Sequence, residues 1–140
     1  MGPFAQGWTE ESVEEVVARG DPQELLYVPI VVGMNADSCE RSWAEAMCLE
    51  LAEHENFNVR GNAMLGLGHI ARVCRDLDTD RAVPVLSRGL KDPHDYVRGH
   101  AHDAACDLHL YLGEVVPGYD VADTQTFVET IRDIAKQHDA

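Results

Sequence analysis

Apolar and polar residues alternate along much of this chain with the period of an α-helix. Between residues 57 and 75 the apolar positions recur every three or four residues and form one stripe along a helix. A stripe of the same kind runs through residues 93–112. Each stripe is preceded by a shorter segment with helical spacing, over residues 42–53 and 80–91. The pattern therefore predicts two consecutive helical hairpins.

The two hairpins resemble each other in sequence. The segment Val59–Ala63 (VRGNA) returns 38 residues later as Val97–Ala101 (VRGHA). Upstream the best offset is one residue longer, and the extra residue falls in the turn between helices, where repeats tolerate an insertion. The chain therefore contains two clear repeats, 42–75 and 80–112. Asp92-Pro93 predicts the start of the last repeat helix, with Asp92 as its cap and Pro93 in the first helical position.

The flanking segments read as weaker versions of the same unit. Helices are predicted over residues 9–33, with Thr9 as a cap and Gly20-Asp21-Pro22 as the end of one helix and the start of the next. Pro29 interrupts the apolar run that follows, so we expect a kink or a break there. A final helix within 121–138 is expected to cover the open end of the stack, as terminal caps do in repeat proteins. No segment reads as a strand, and the predicted fold class is all-α.

A helix, a short turn with Asp-Pro and then V-R-x-x-A followed by small and apolar residues resembles HEAT repeats. Here the motif occupies Asp92–Ala101, and the earlier copy lacks the Asp-Pro. The resemblance implies one domain over residues 1–140, a short right-handed α-solenoid of HEAT-like helical hairpins with degenerate N-terminal helices and a C-terminal capping helix. The segment Val59–Arg72 is also similar to small stand-alone bacterial HEAT-like proteins. Some of those are thought to be immunity proteins of polymorphic toxin systems, which bind and block a cognate toxin.

Six residues are predicted to have structural roles within the repeats: Arg60, Arg98, Gly61, Gly66, Gly68 and Gly99. The resemblance implies that the arginine of each copy runs between neighbouring helices and pairs with an acidic group or a free carbonyl. Asp95, Glu55 and Glu53 are the acidic partners we expect. Glycine costs about 1 kcal/mol relative to alanine in a helix interior, so several glycines in one helix need an offsetting gain. Close helix packing is one explanation, and a shallow patch that a partner's backbone approaches is the other.

The partner-binding surface is predicted on the sides of the second helices that face away from the core stripe, since second helices usually line the concave side of such solenoids. The candidates there are Asn62, His69, Arg72, His100, Asp103, Asp107 and Glu114. Their carboxylates accept hydrogen bonds and salt bridges from Lys or Arg of a partner. An ordinary solvated acidic face is the alternative. A second set of candidates follows from the acidic first helix of repeat one: Glu45, Glu50, Glu53 and Glu55.

Three side chains raise the question of a metal site. His102, Cys106 and His109 share one helix face, a geometry compatible with metal ligands. No HExxH motif accompanies them. HEAT-like iron hydroxylases carry repeated His-Glu pairs, whereas this chain has only His54-Glu55. A packed face between repeats accounts for both histidines without a metal. No glycine-rich nucleotide motif or supported nucleophile–base pair occurs either, so we predict no metal, no cofactor and no enzymatic activity.

Charge narrows the choice of partner. The chain has 25 Asp and Glu against 11 Lys and Arg, a formal net charge of −14. That balance disfavours direct binding of nucleic acid, which draws its affinity from Lys and Arg, and favours a basic protein. Residues 1–55 hold 12 acidic and 2 basic residues, residues 56–112 hold 7 of each, and residues 113–140 hold 6 and 2. The excess of acid therefore lies mainly toward the N-terminal half, beside the predicted groove.

Length, hydropathy and cysteine usage complete the expectations. The 140 residues suit one domain, and no apolar run approaches the ~18–20 residues of a membrane span. The start of the sequence lacks the basic and apolar regions of a signal peptide, and the four cysteines form no CxxC pair. We therefore expect a cytoplasmic monomer that does not act on membranes.

The leading functional hypothesis is an immunity protein that binds a basic toxin domain and neutralises it by steric block. A toxin that acts on nucleic acids fits best, because such toxins present basic clefts. A general HEAT-repeat adaptor or scaffold is the first alternative. A HEAT-like small-molecule lyase or metal-dependent enzyme is the second.

Overall fold

The computed structural model describes residues 2–139, and within them the chain is helical and contains no strand. This confirms the predicted all-α class. The predicted domain of residues 1–140 also includes Met1 and Ala140, which lie outside the described residues. The α-helices are α1 (Glu10–Arg19), α2 (Pro22–Leu25), α3 (Val28–Met34), α4 (Arg41–Leu51), α5 (Phe57–Cys74), α6 (Thr79–Gly89), α7 (Asp95–Leu112) and α8 (Ala122–Asp139). Short 3-10 turns occupy Gly2–Phe4 and Ala36–Ser38.

The N-terminal helices begin and end at the residues that the sequence marks. Thr9 caps α1 by accepting from the backbone N–H of Ser12, whose hydroxyl in turn accepts from the backbone N–H of Thr9. Gly20 ends the helix in the left-handed conformation, and the Asp21 side chain caps α2. The expected break lies just before Pro29, which sits in the first turn of α3, where its missing N–H costs no hydrogen bond.

The two predicted hairpins correspond to α4 with α5 and α6 with α7. The start of α7 differs from the prediction. The helix begins at Asp95, and its cap is His94, whose ring nitrogen Nδ1 accepts from the backbone N–H of Tyr96. Asp92 does not cap the helix, because its carboxylate accepts from the Arg60 guanidinium and from the backbone N–H of His94. Pro93 therefore lies in the turn before the helix.

Helix α5 lies at the centre of the packing. It packs most extensively along α7, with α3 and α4 against its other sides, while α6 packs on α7. Because several helices surround α5, 10 of its 18 residues are buried, far more than one amphipathic stripe would supply. The largest fully buried side chains of the core come from α1, α2, α3 and α6 as well as from α5 and α7.

Two glycines allow α5 to approach its neighbours. A Cβ atom on Gly66 would lie 2.9 Å from the carbonyl oxygen of Pro29, and one on Gly68 would lie 2.8 Å from the Cα atom of Ala104. Both distances are well below van der Waals contact, so a side chain at either position would push two helices apart. At Gly99, by contrast, a Cβ atom would meet no described heavy atom within 4 Å. The predicted structural role of Gly99 therefore has no packing contact behind it.

Helix α8 differs from the predicted cap. Its first turn is anchored, because the buried Thr124 hydroxyl lies 2.6 Å from the Tyr119 hydroxyl and 2.8 Å from His109 Nδ1. The following apolar side chains are each about half exposed: Phe127 (47%), Ile131 (51%) and Ile134 (46%). The apolar stripe of this helix therefore covers the end of the stack only in part. The loop after α7 provides buried side chains there, Val116 and Tyr119.

Candidate functional site

Five of the predicted partner-binding residues lie on α5 and α7 and influence one another electrostatically. We call them the α5–α7 cluster: His69, Arg72, His100, Asp103 and Asp107. The Arg72 guanidinium donates to His69 Nδ1 across 3.0 Å, and His100 Nδ1 lies 3.9 Å from the Asp103 carboxylate. Burial lowers the pKa of His69, and the neighbouring Arg72 lowers it further. The His69 ring is therefore neutral near pH 7 and serves as an acceptor.

Asp107 is the member of this cluster with the most altered chemistry. Burial of its carboxyl raises its pKa to about 6, with the nearby Asp103 adding to the rise and Arg72 opposing it. Burial makes this carboxyl group costly to ionise, and the charge of Arg72 offsets only part of that cost. A positively charged group that docked here would therefore stabilise the ionised form.

Asn62 does not belong to this exposed face. It is only 5% exposed, its amide nitrogen donates to the carbonyl of Leu26, and its amide oxygen accepts from the Tyr96 hydroxyl. The preceding Gly61 leaves room for the Tyr96 ring, since a Cβ atom there would lie 2.6 Å from that ring. Asn62 thus ties α5 to α7 and to the end of α2, and its assignment to the partner-binding surface is wrong.

Among the acidic candidates of repeat one, Glu45 is also buried. It is 3% exposed, it accepts from Arg41 across 2.6 Å, and it accepts from the backbone N–H of Asp78 across 3.1 Å. A partner cannot reach this carboxylate, so its assignment to the binding surface is wrong as well. The remaining acidic candidates are exposed: Glu50, Glu53, Glu55 and Glu114. Of these, Glu53 forms an ion pair with Arg88.

The repeated arginines make different sets of bonds. Arg60 donates to both carboxylate oxygens of Asp92, at 2.7 and 2.9 Å, and to the two carbonyls of His54–Glu55. Arg98 donates to the carbonyls of Asp92 and Pro93. Asp92 is not among the acidic partners expected from the sequence. Asp92 lies in the turn before α7, within reach of the Arg60 guanidinium.

The three side chains considered for metal binding point to different partners. Cys106 is buried, His102 Nε2 lies 2.8 Å from the Asp123 carboxylate, and His109 Nδ1 lies 2.8 Å from the Thr124 hydroxyl. Among residues 2–139, no group of three or more His, Cys, Asp or Glu side chains has the arrangement needed to hold a metal ion. Both histidines thus attach the start of α8 to α7.

Between α7 and α8 lies a surface that the sequence did not single out. Two adjoining cavities of about 260 and 310 Å³ share Phe127 as a wall. We call them together the α7–α8 groove, and its main lining residues are Asp103, Asp107, Asp123, Leu110, Phe127 and Ile131. One half is lined by three carboxylates and His102. The other half is lined mainly by apolar side chains, with Arg132 as its one charged residue. The sequence signal for this groove is the apolar spacing of the last helix, a pattern that by itself predicts a face covered by the rest of the chain.

Comparisons with known proteins add no relative. Neither the family models nor the curated proteins nor the solved structures contain a match to this chain. The class that the geometry defines is therefore an all-helical protein, and the resemblance to HEAT repeats rests on the sequence pattern. No helix in the described part of the chain combines the length and apolar character needed to cross a membrane.

Proposed function

We propose that this chain is a HEAT-like α-solenoid that acts as a protein-binding module. The contacts between helices support the solenoid. Helix α5 packs between α3 and α7, and α4 and α6 pack against these helices. Paired helices in consecutive contact are the arrangement by which repeat proteins build a continuous core.

The proposed activity is that of a cytoplasmic immunity protein, which binds a basic toxin domain and neutralises it by steric block. The observation that carries this proposal is the α7–α8 groove, where half-exposed Phe127 lies beside carboxylates and half-exposed Ile131 lines the adjoining apolar cavity. Exposed apolar surface with a polar rim is typical of protein interfaces. The net charge of −14 favours a basic partner and disfavours nucleic acid.

Co-expression is the direct test. A basic toxin domain encoded beside this gene is produced in a bacterial host with and without the chain, and growth is measured. We expect the chain to restore growth and to co-purify with a catalytically inactive toxin. Toxicity that persists at full expression of the folded chain, without a complex on gel filtration, would contradict the proposal.

Salt dependence of association gives a second readout. Acidic-on-basic pairing accelerates encounter more than it sets affinity, and physiological salt screens exposed charges beyond ~8 Å. We therefore expect the association rate with the toxin to fall as salt rises toward physiological levels, measured by stopped-flow fluorescence. An association rate that is independent of salt would exclude electrostatic steering.

A further inference from the structure

The apolar half of the α7–α8 groove is too exposed for a helix whose only role is to pack on its own chain. Phe127, Ile131 and Ile134 follow one another at helical spacing on α8, and each is about half exposed. Leu110 of α7, at 37% exposed, lies beside the first two. Complete burial of a fully exposed side chain of this size stabilises by ~1.5–3 kcal/mol, so a partner that covers these half-exposed side chains gains roughly half of that for each.

The other half of the groove is acidic. Asp103, Asp107 and Asp123 line the cavity of about 260 Å³, with Cys106 and Phe127 as its apolar lining. The side chain of Asp103 is 62% exposed and that of Asp123 is 47% exposed, so both can be reached from outside. Phe127 also lines the apolar cavity, so the acidic and apolar halves meet at this side chain. A segment that lies across Phe127 would contact both.

Charge decides which occupant fits. In a symmetric dimer the same surface occurs on both subunits, so two copies that met through this groove would place three carboxylates from each subunit in one interface, against one arginine, Arg132, from each. Each chain already carries a net charge of −14. Like charges that face each other across an interface cost several kcal/mol. The apolar area is also small: the four side chains expose roughly 350 Å², whereas a stable interface buries ~800 Å² per partner, of which somewhat more than half is apolar. A cationic partner that also contacts surface beyond the groove meets neither difficulty.

Resting on the function proposed above, we propose that the α7–α8 groove seats an amphipathic helical segment of the basic partner. Apolar side chains of that segment pack on Phe127 and Ile131, and a Lys or Arg one or two turns away reaches Asp103 and Asp107. The raised pKa of Asp107 supports this arrangement, because an adjacent cation relieves the cost of ionising a partly buried carboxyl.

A synthetic peptide tests the groove without knowledge of the natural partner. The probe is a helix of roughly 18 residues with leucines at i, i+4 and i+7 and lysines beside them. A matched peptide has glutamate in place of each lysine. Binding is measured by isothermal titration calorimetry at physiological salt. We expect the lysine peptide to bind and the glutamate peptide not to bind.

Variants of the protein locate the binding site. Ile131→Asp and the double variant Asp103→Asn with Asp107→Asn should each weaken binding of the lysine peptide roughly tenfold, about 1.4 kcal/mol. The matched controls are Met34→Asp, at an equally exposed apolar residue on α3, and the double variant Glu11→Gln with Glu15→Gln on α1. Each control should stay within about twofold, since none of these residues lines the groove. Circular dichroism checks that every variant is folded.

Two results would overturn the proposal. If the control variants weaken binding of the lysine peptide as much as the groove variants do, the peptide is held by general attraction to an acidic surface. If sedimentation shows a dimer of the wild type that Ile131→Asp abolishes, the groove is an interface between two copies of the chain.

The proposal for the groove and the proposed immunity function can be refuted separately. If the Ile131→Asp protein still neutralises the toxin in co-expression, the groove is not the toxin site, although the immunity function stands. If the lysine peptide binds the groove but no toxin is neutralised, the groove stands and the immunity function does not.

Discussion

Substitution of Gly68 by alanine tests the close approach of α5 and α7. The added methyl carbon would lie 2.8 Å from the Cα atom of Ala104, whereas carbon atoms pack best at ~3.5–4.0 Å. The obstacle is the backbone of a neighbouring helix, so it cannot rotate away as a side chain does. The two helices must separate locally by about 1 Å to restore ordinary contact.

The expected change in stability is the sum of two opposing effects. Alanine in place of glycine in a helix interior gains about 1 kcal/mol, while overpacking of a tight interface costs ~1–3 kcal/mol. We expect Gly68→Ala to lower the free energy of unfolding by about 1 kcal/mol, because the obstructing atom is backbone. Gly99→Ala is the matched control, since a Cβ atom there meets no described atom within 4 Å. It should raise the free energy of unfolding by about 0.5–1 kcal/mol.

Urea unfolding followed by circular dichroism at the helical band measures both variants under identical conditions. The midpoint should move in opposite directions for Gly68→Ala and Gly99→Ala, with unchanged slopes. If Gly68→Ala stabilises the protein as much as Gly99→Ala does, the helices are not in the close contact described here, and the reasoning is refuted.

Three further predictions concern polar groups. Arg60→Ala should lower the free energy of unfolding by ~2–3 kcal/mol, because it leaves the Asp92 carboxylate without its bidentate partner. In thermal melting, Arg60→Lys should recover only part of the lost stability. Asn62→Ala should lower the free energy of unfolding in urea by ~1–3 kcal/mol, because the Leu26 carbonyl and the Tyr96 hydroxyl lose their hydrogen-bond partner. No loss of stability would contradict the burial of Asn62. Burial raises the pKa of Asp107 to about 6, above its value of 3.8 in the unfolded chain, so the folded state holds the carboxyl proton more tightly. The stability that this proton contributes is complete below pH 3.8 and is lost as the pH rises through 6. The free energy of unfolding of Asp107→Asn, relative to that of the wild type, should therefore rise by ~1–2 kcal/mol between pH 4 and pH 7, allowing for partial solvent screening. A difference between the two proteins that does not change with pH would refute the raised pKa of Asp107.

The helices and most of their ends could be predicted because their causes are local. The Thr9 cap, the left-handed Gly20 and the break before Pro29 depend on residues within one turn of the chain. The start of α7 could not be predicted in the same way. Asp92 is a good cap by local rules, but an arginine 32 positions earlier takes its carboxylate. His94 then caps the helix.

The errors at the candidate site have one physical origin. A helical projection divides a helix into one buried stripe and one exposed face, which holds when one layer covers it. Helix α5 is covered by α3, α4 and α7, so Asn62 lies on a side that the projection leaves exposed and that Leu26 and Tyr96 in fact cover. On α8 the opposite error occurs. Its stripe predicts a buried face, but periodicity does not say which molecule covers that face.

Charge and apolar surface occupy different parts of this chain, and that separation bears on how a partner would be held. Residues 1–55 carry 12 of the 25 acidic residues, whereas the exposed apolar stripe belongs to α8, at the other end of the packing order. Exposed charges act over distance, so they raise the rate of encounter with a basic protein and are weakened by salt. Apolar contacts act only on touching, so they set how long the complex lasts. If the proposed function holds, we expect a basic partner to be attracted chiefly by the N-terminal half and retained chiefly by the α7–α8 groove. Substitutions in the N-terminal half should then change the association rate, and substitutions in the groove should change the dissociation rate.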